Sequence, residues 1–241
     1  MPTGYVGVCL MDPPYDERTH SSVRRAGDLA DVAEHDCRKR RKTDLGFVAL
    51  DPALQEEVAH ECARLVRRWT GAFCTVEMVH GWIGAFEQEK PLRYVRTVAW
   101  VKQGSTPQFT GDRPAVGFEC MVLAHPKGRM RWNGGGGRGV YTHPIELPRL
   151  GRGPKRIHTT QKPISLMLEL VELFTEPDEI VIDPFCGSGT TGLACLRLGR
   201  RFIGMELDPV MATTARDRLK AELGETTLDA VRSGQRGLFD A

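Results

Sequence analysis

Asp12-Pro13-Pro14-Tyr15 is the stretch whose residue types are best suited to chemistry. Two successive prolines fix φ twice and remove two backbone donors, so the turn is stiff and extended. Such stiffness aims the Asp12 carboxylate and the Pro13 carbonyl, two acceptors, toward one point. The ring of Tyr15 offers a flat plate beside them. Two acceptors next to an aromatic plate suit an exocyclic amino group on a planar base. In isolation the same tetrapeptide would pass for a strand-ending Pro-Pro turn. Its companions elsewhere in the chain decide for chemistry.

The first companion is the stretch from Glu179 to Thr191. Ile180, Val181 and Ile182 form a β-branched run that suits a buried parallel strand. Asp183-Pro184 ends it, Gly187-Ser188-Gly189 lets the backbone turn and approach a ligand, and Thr190 opens a helix that Gly199 stops. A strand, a glycine turn and a helix N-terminus make a nucleotide-type cofactor site. Gly187, Gly189 and Gly192 also satisfy G-x-G-x-x-G with Glu206 at a ribose-contact distance, so a dinucleotide is the rival ligand. Asp183 separates the two. A carboxylate at the mouth of the turn repels a pyrophosphate and attracts a cofactor carrying an ammonium and a sulfonium, which points to S-adenosylmethionine.

Strands and helices must hold these two turns in place. Apolar runs predict strands at Tyr5–Met11, Ala72–Met78, Tyr94–Lys102, Phe118–Ala124, Ile180–Ile182 and Arg201–Met205. Helices are predicted from Asp51-Pro52, with an apolar face running through Leu54, Val58, Cys62, Leu65 and Trp69 and a stop at Gly71. Others cover Gly81–Gln88, Pro163–Phe174, Thr190–Leu198 and Pro209–Leu223. This alternation implies an α/β fold with a mostly parallel sheet covered on both faces.

With 241 residues and a net charge of +2, the chain suits one sizeable α/β domain. The seven cysteines include no C-x-x-C pair, so reduced buried thiols and a cytoplasmic location are expected, and no metal site. No run reaches the roughly 18 apolar residues of a membrane span. Two segments break the pattern. Residues 16–50 are polar, carry Arg38-Lys-Arg-Arg-Lys42, and read as a mobile loop. Between Lys127 and Arg156 there are eight Lys or Arg against one acid, with Gly134–Gly137 in the middle. This basic insertion, about 126–157, could pair phosphates through Arg129, Arg131, Arg138, Arg149, Arg152, Lys155 and Arg156. A solvated charged face is the ordinary reading of such runs.

In order, Asp12-Pro-Pro-Tyr15, His158-Thr-Thr-Gln-Lys-Pro163, Asp183-Pro-Phe-Cys-Gly-Ser-Gly-Thr-Thr191 and Phe202-Ile-Gly-Met-Glu-Leu-Asp-Pro209 resemble the permuted β class of DNA amino-methyltransferases, N6-adenine and N4-cytosine. The order is itself informative, with the catalytic tetrapeptide preceding the cofactor turn. The resemblance runs from Val8 to about Leu223. It implies a Rossmann-like S-adenosylmethionine-dependent methyltransferase fold with a seven-stranded type of sheet, one edge strand being in question. It also implies that Asp12, Pro13, Pro14 and Tyr15 receive a flipped base. Asp183, Phe185, Gly187, Gly189 and Thr190 would line the methionine end of the cofactor, and Glu206 would accept from its ribose. Thr160, Gln161 and Lys162 would close the cofactor site, with Lys162 suited to the cofactor carboxylate.

Relatives carry a further segment upstream of the first motif, with an acid near the cofactor adenine, that is not in this sequence. The resemblance places target recognition at the basic insertion, which favours nucleic-acid binding there over a merely solvated face. The insertion is short, so a short or relaxed target sequence is expected. The resemblance favours adenine N6 in DNA. Cytosine N4 fits two acceptors equally, and an inactive nucleic-acid-binding module on the same fold is the reading of a different class. The residues do not separate single- from double-stranded DNA, nor DNA from RNA. A homodimer is compatible with the sequence, and no nuclease motif is present in it.

Overall fold

β1 (Val8–Met11) is buried along its whole length, and the rest of the sheet is built outward from it. Its side chains alternate between two cores, as a pleated strand covered on both faces requires. Cys9 and Met11 join one cluster; Val8 and Leu10 join the other. The computed structural model describes residues 1–15, 50–105, 111–145 and 161–224.

In chain order the elements are α1 (Pro52–Leu65), β2 (Thr70–Cys74), a short 3-10 turn at Val76–Met78, α2 (Val79–Gln88), β3 (Leu92–Gln103), β4 (Phe118–Pro126) and β5 (Val140–Pro144). They are followed by α3 (Ile164–Phe174), β6 (Ile180–Asp183), α4 (Thr190–Arg197), β7 (Arg201–Gly204) and α5 (Pro209–Leu223). The seven strands lie in the order β5-β3-β4-β2-β1-β6-β7. All pairings are parallel except those of β4, which runs antiparallel to both β2 and β3. α1 and α2 cover one face through Ala59, Cys62, Trp82 and Phe86; α3 and α4 cover the other through Leu166, Leu170, Phe174 and Ala194. The expected α/β fold is the one observed.

The sheet order fixes where a ligand can sit. From β1 the chain crosses toward β2, and from β6 it crosses toward β7, in the opposite direction. β1 and β6 are parallel neighbours, Cys9 facing Ile182. A crevice therefore opens beyond the carboxyl ends of these two strands, at the point where the winding reverses. Asp12 follows directly on β1, and Asp183 is the last residue of β6.

Besides shifted strand ends, among them Val76–Met78, a 3-10 turn where the sequence predicts continued strand, two elements differ from expectation. The helix starting at Asp51 is capped as predicted, Leu54 N donating to Asp51 Oδ1 at 2.8 Å, but it ends at Leu65. Arg67 N donates to Val6 O, Arg68 N to Gly7 O, and Cys9 N to Trp69 O, so the backbone leaves the helix as soon as it can pair with residues 6–9. Gly71 is thus no helix stop. It lies inside β2, where a Cβ would stand 3.0 Å from Met121 Sδ and 3.2 Å from Leu10 Cδ2. The second difference is β5, which pairs with β3 inside the basic insertion, a stretch with no periodicity in its sequence.

Candidate active site

The crevice has two halves. On the β6 side, Gly187 (φ 50°) and Gly189 (φ 83°) take left-handed conformations that favour glycine. Gly189 also lets the turn close on α5, since its Cβ would stand 3.0 Å from that of Ala215. Asp183 is not at the mouth of this turn, as expected, but inside it, only 3% exposed. Its Oδ1 accepts from Phe185 N at 3.1 Å and its Oδ2 from Thr191 Oγ1 at 2.6 Å. Burial pushes the carboxyl up to about 7, opposed by those two hydrogen bonds and reinforced by the charges of Asp12 and Glu206. Glu206 braces the same turn from β7, accepting from Gly187 N at 2.8 Å and from Asp208 N at 2.9 Å. A carboxylate offers about four lone-pair sites, so each of these acids keeps acceptor capacity. Thr190, buried, starts α4, and Phe185 is half-buried beside the turn.

On the β1 side, Lys162 lies between two acids. Its Nζ is 2.6 Å from Asp12 Oδ2 and 3.1 Å from Glu119 Oε2. Tyr15 OH donates to Glu119 Oε2 at 2.8 Å and more weakly to Asp12 Oδ1 at 3.4 Å. Glu119 Oε1 receives Lys102 Nζ at 2.6 Å. The ammonium of Lys162 also lies 5.0 Å from the Phe73 ring centroid, 5.6 Å from that of Tyr15 and 5.9 Å from that of Trp100. Burial raises Asp12, with Lys162 opposing and Glu119 adding to the rise. The two lysines overcome burial at Glu119 and hold it down at about 2. Lys162, placed by resemblance at the cofactor carboxylate, here pairs with Asp12 and Glu119.

A family model for DNA methylases (N6_N4_Mtase) matches residues 6–217, nearly the whole chain. The chain belongs to this DNA methylase family. The type II methyltransferase M.HinfI of Haemophilus influenzae is 27% identical over 237 residues, covering 91% of this chain and 64% of its own length. M.XycI of Xanthomonas campestris pv. cyanopsidis is 31% identical over 157 residues, 58% of this chain and 49% of its own. The chain thus spans between about half and two-thirds of these relatives. Among solved structures, the complex of M1.HpyAVI with S-adenosylmethionine is similar at 27% identity and a TM-score of 0.63, covering 89% of both chains. The cytosine-N4-specific PvuII methyltransferase shares the fold, with a TM-score of 0.65 at 13% identity.

In this member of the DNA methylase family the predicted residues divide by location. Asp12, Pro13, Pro14 and Tyr15 lie beyond the end of β1, and Lys162 reaches them from just before α3, with Gln161 preceding it. Asp183, Phe185, Gly187, Gly189, Thr190 and Glu206 cluster at the ends of β6 and β7. Arg129 and Arg131 are not near either group. β4 runs antiparallel to β2, so the β4–β5 connection sits at the opposite end of the sheet. There the Arg131 carbonyl accepts from Trp69 Nε1, and Arg93 donates to Gly128 O. The four glycines belong to this connection too; Trp132 Nε1 bonds Gly135 O, and its ring packs on Trp69 and Phe174. Arg138 is exposed beside the outer strands, just before β5. Thr160, Arg149, Arg152, Lys155, Arg156 and the run Arg38–Lys42 lie outside the described residues.

Sequence reasoning does not find Glu119 or Lys102. Glu119 is the one charged residue in the otherwise apolar run Phe118–Ala124, but it stands next to the start of the strand, where a solvated charge is ordinary, so its type alone does not assign it to the site. Among the described residues no helix is long and apolar enough to cross a membrane.

Proposed function

We propose that this chain transfers a methyl group from S-adenosylmethionine to the exocyclic N6 of an adenine flipped out of DNA. The observation that carries this reading is the meeting of Asp12 and the Asp183–Glu206 turn at the ends of β1 and β6. One crevice thereby joins an acceptor-bearing turn to a cofactor-type turn. The β6 half suits a cationic cofactor on its own chemistry. Asp183 is a buried acid held up at about 7 by burial, and its neighbours Asp12 and Glu206 are themselves acidic. A ligand bringing positive charge offsets that unfavourable burial. Bound there, S-adenosylmethionine supplies a methyl group on a sulfonium.

The remaining work belongs to this chain's side chains. An exocyclic amine of adenine is a poor nucleophile because its lone pair is delocalised into the ring. Hydrogen bonds from its two N–H groups to Asp12 and the Pro13 carbonyl favour a pyramidal nitrogen with the lone pair directed toward the β6 half. Tyr15 stacks on the extruded base. Asp12 offsets the positive charge that develops on nitrogen as the carbon–sulfur bond breaks to leave a neutral thioether. The methylated nitrogen gives up one proton to solvent, and no covalent bond to the protein is needed. Catalysis is then positioning and charge placement.

The carboxylate at position 12 supports adenine over cytosine, since relatives acting on cytosine more often carry serine there. The test is transfer of labelled methyl from S-adenosylmethionine to duplex and single-stranded DNA, followed by hydrolysis to nucleosides. N6-methyladenine carrying the label supports the proposal. Label in N4-methylcytosine overturns the adenine assignment, and no label in DNA overturns the activity.

A pH dependence follows from Asp183. Its folded-state value is raised to about 7, and a cationic ligand favours the deprotonated form. Below about 7 that ligand must displace a proton; above it none remains. Cofactor affinity is therefore expected to tighten as pH rises toward 7, by up to about tenfold per unit, with the contribution of Asp183 levelling off above. Calorimetry in buffers of different ionisation heat should detect the released proton at pH 6. Asp183→Asn should abolish that release, and an unchanged release in the variant would remove Asp183 from the linkage.

For DNA, the placement of the arginines makes a sharp comparison. Ile145 and Gln161, the described residues that flank 146–160, both lie at the end of the sheet where Asp12 and Asp183 stand. Replacing Arg149, Arg152, Lys155 and Arg156 by alanine is expected to weaken DNA binding and lower the salt slope by up to about one for each phosphate that no longer pairs with a cation. Arg129 and Arg131, at the far end, should give changes within about twofold when replaced. The reverse pattern in a salt titration would put the DNA on the other end of the molecule.

A further inference from the structure

Glu119 is a buried acid whose neighbours are all components of the β1 half-site. It lies on β4 opposite Trp100, with its side chain 13% exposed. Burying a carboxylate is costly unless it is paired and hydrogen-bonded. Here three donors satisfy it: Tyr15 OH, Lys162 Nζ and Lys102 Nζ. Two of those three also face Asp12, on the far side of β2.

We infer that Glu119 is a positioning residue for methyl transfer, drawing the Tyr15 hydroxyl and part of the Lys162 charge away from Asp12 so that the Asp12 carboxylate can accept the target amine. This rests on the activity proposed above. The distances carry it. Tyr15 OH is 2.8 Å from Glu119 and 3.4 Å from Asp12, so the stronger hydrogen bond goes to Glu119. Lys162 is shared, 2.6 Å from Asp12 and 3.1 Å from Glu119. Without the Glu119 charge, both donors turn to Asp12 and compete with the substrate for its lone pairs. The phenol ring, held at its far end by Glu119, is then no longer fixed in the plane that stacking needs. Lys102 plays no part in this division, because it binds the other oxygen of Glu119.

The experiment compares wild type, Glu119→Gln, Tyr15→Phe and the double variant. It records kcat, KM for DNA, cofactor Kd and melting temperature. Glu119→Gln is expected to lose about ten- to a hundredfold in kcat, with cofactor Kd within about threefold of wild type. In the Tyr15→Phe background the same change should cost distinctly less, because one competing donor is already gone. Unchanged kcat, or an equal loss in both backgrounds, overturns the assignment. If Glu119→Gln melts early, Glu119→Asp retains the charge but retracts it by one methylene. A lowered kcat with intact cofactor affinity in Glu119→Asp supports the inference, and wild-type kcat overturns it.

Tyrosine-ring NMR separates this inference from the activity itself, with Tyr15 assigned through Tyr15→Phe. The Tyr15 signal should shift in Glu119→Gln whether or not any methyl transfer is measurable, and an unmoved signal overturns the contact. Wild type that transfers no methyl while this shift is present refutes the activity and leaves the contact standing.

Discussion

Asp12→Ala should reduce methyl transfer by at least about a thousandfold, the upper range for removing one group that stabilises developing charge, and leave cofactor Kd within about threefold. The separation is expected because Asp12 makes no hydrogen bond to the β6 turn. Its partners are Lys162 and Tyr15. Both retain Glu119 after the substitution, so no buried charge is left unpaired. The melting temperature should move little for the same reason. Asp12→Asn is the sharper variant, since it keeps the volume and removes the charge. It should still lose most of the activity, because the amide brings an NH2 group where an acceptor is needed. Radiometric transfer assays with isothermal titration of the cofactor would measure both quantities. Joint loss of cofactor binding, transfer and melting temperature would mean that the residue holds the fold.

Asp183→Ala should act on the opposite half. It leaves Phe185 N and Thr191 Oγ1 without their acceptor and removes the negative charge proposed above to favour a cationic cofactor. One orphaned buried donor costs about 1–3 kcal/mol, so cofactor affinity should fall by about ten- to a hundredfold. Asp183→Asn distinguishes the two contributions. Its amide oxygen can accept from one of the two donors, and the negative charge is gone. If bracing the turn is the larger contribution, Asn recovers much of the affinity lost in Ala; if charge is, Asn resembles Ala. Saturating cofactor should restore transfer in either case. Failure to restore it would give Asp183 a part in the transfer step.

Much of this architecture can be read from local chemistry. Asp51-Pro52 and Asp208-Pro209 both start helices, each Asp side chain accepting from the first turn. The run Ile180–Ile182 is a buried strand because β-branched residues covered on both faces need no polar alternation. Gly199 ends α4 in a left-handed conformation. Long-range pairing is where local chemistry stops being informative. Trp69 continues the apolar spacing of the preceding helix, yet Val66 to Trp69 leave the helix to pair with Val6, Gly7 and Cys9. β5 has one buried residue, Tyr141, and its existence depends on register with β3.

The candidate site shows the same division. The two turns announce themselves through Pro-Pro and Gly-x-Gly, because special backbone needs special residues. Glu119 and Lys102 occupy ordinary strand positions, and only the antiparallel pairing of β3 with β4 brings them to Tyr15. The basic insertion reads as one charged segment in sequence. In space β5 divides its described part, with Arg129 and Arg131 at one end of the sheet and the last described residue, Ile145, at the other.

The structure of this protein with S-adenosylmethionine bound measures the central arrangement directly. The sulfonium methyl carbon should face the β1 half, about 5 Å from an Asp12 carboxylate oxygen, because the lone pair and the N–H bond of a pyramidal nitrogen diverge by about 109°. That span admits an amine nitrogen at attack distance from the methyl, about 3–3.5 Å, while hydrogen-bonded to the carboxylate at about 2.9 Å. A cofactor bound with its methyl turned away from Asp12, or bound outside the crevice between β1 and β6, would contradict the account.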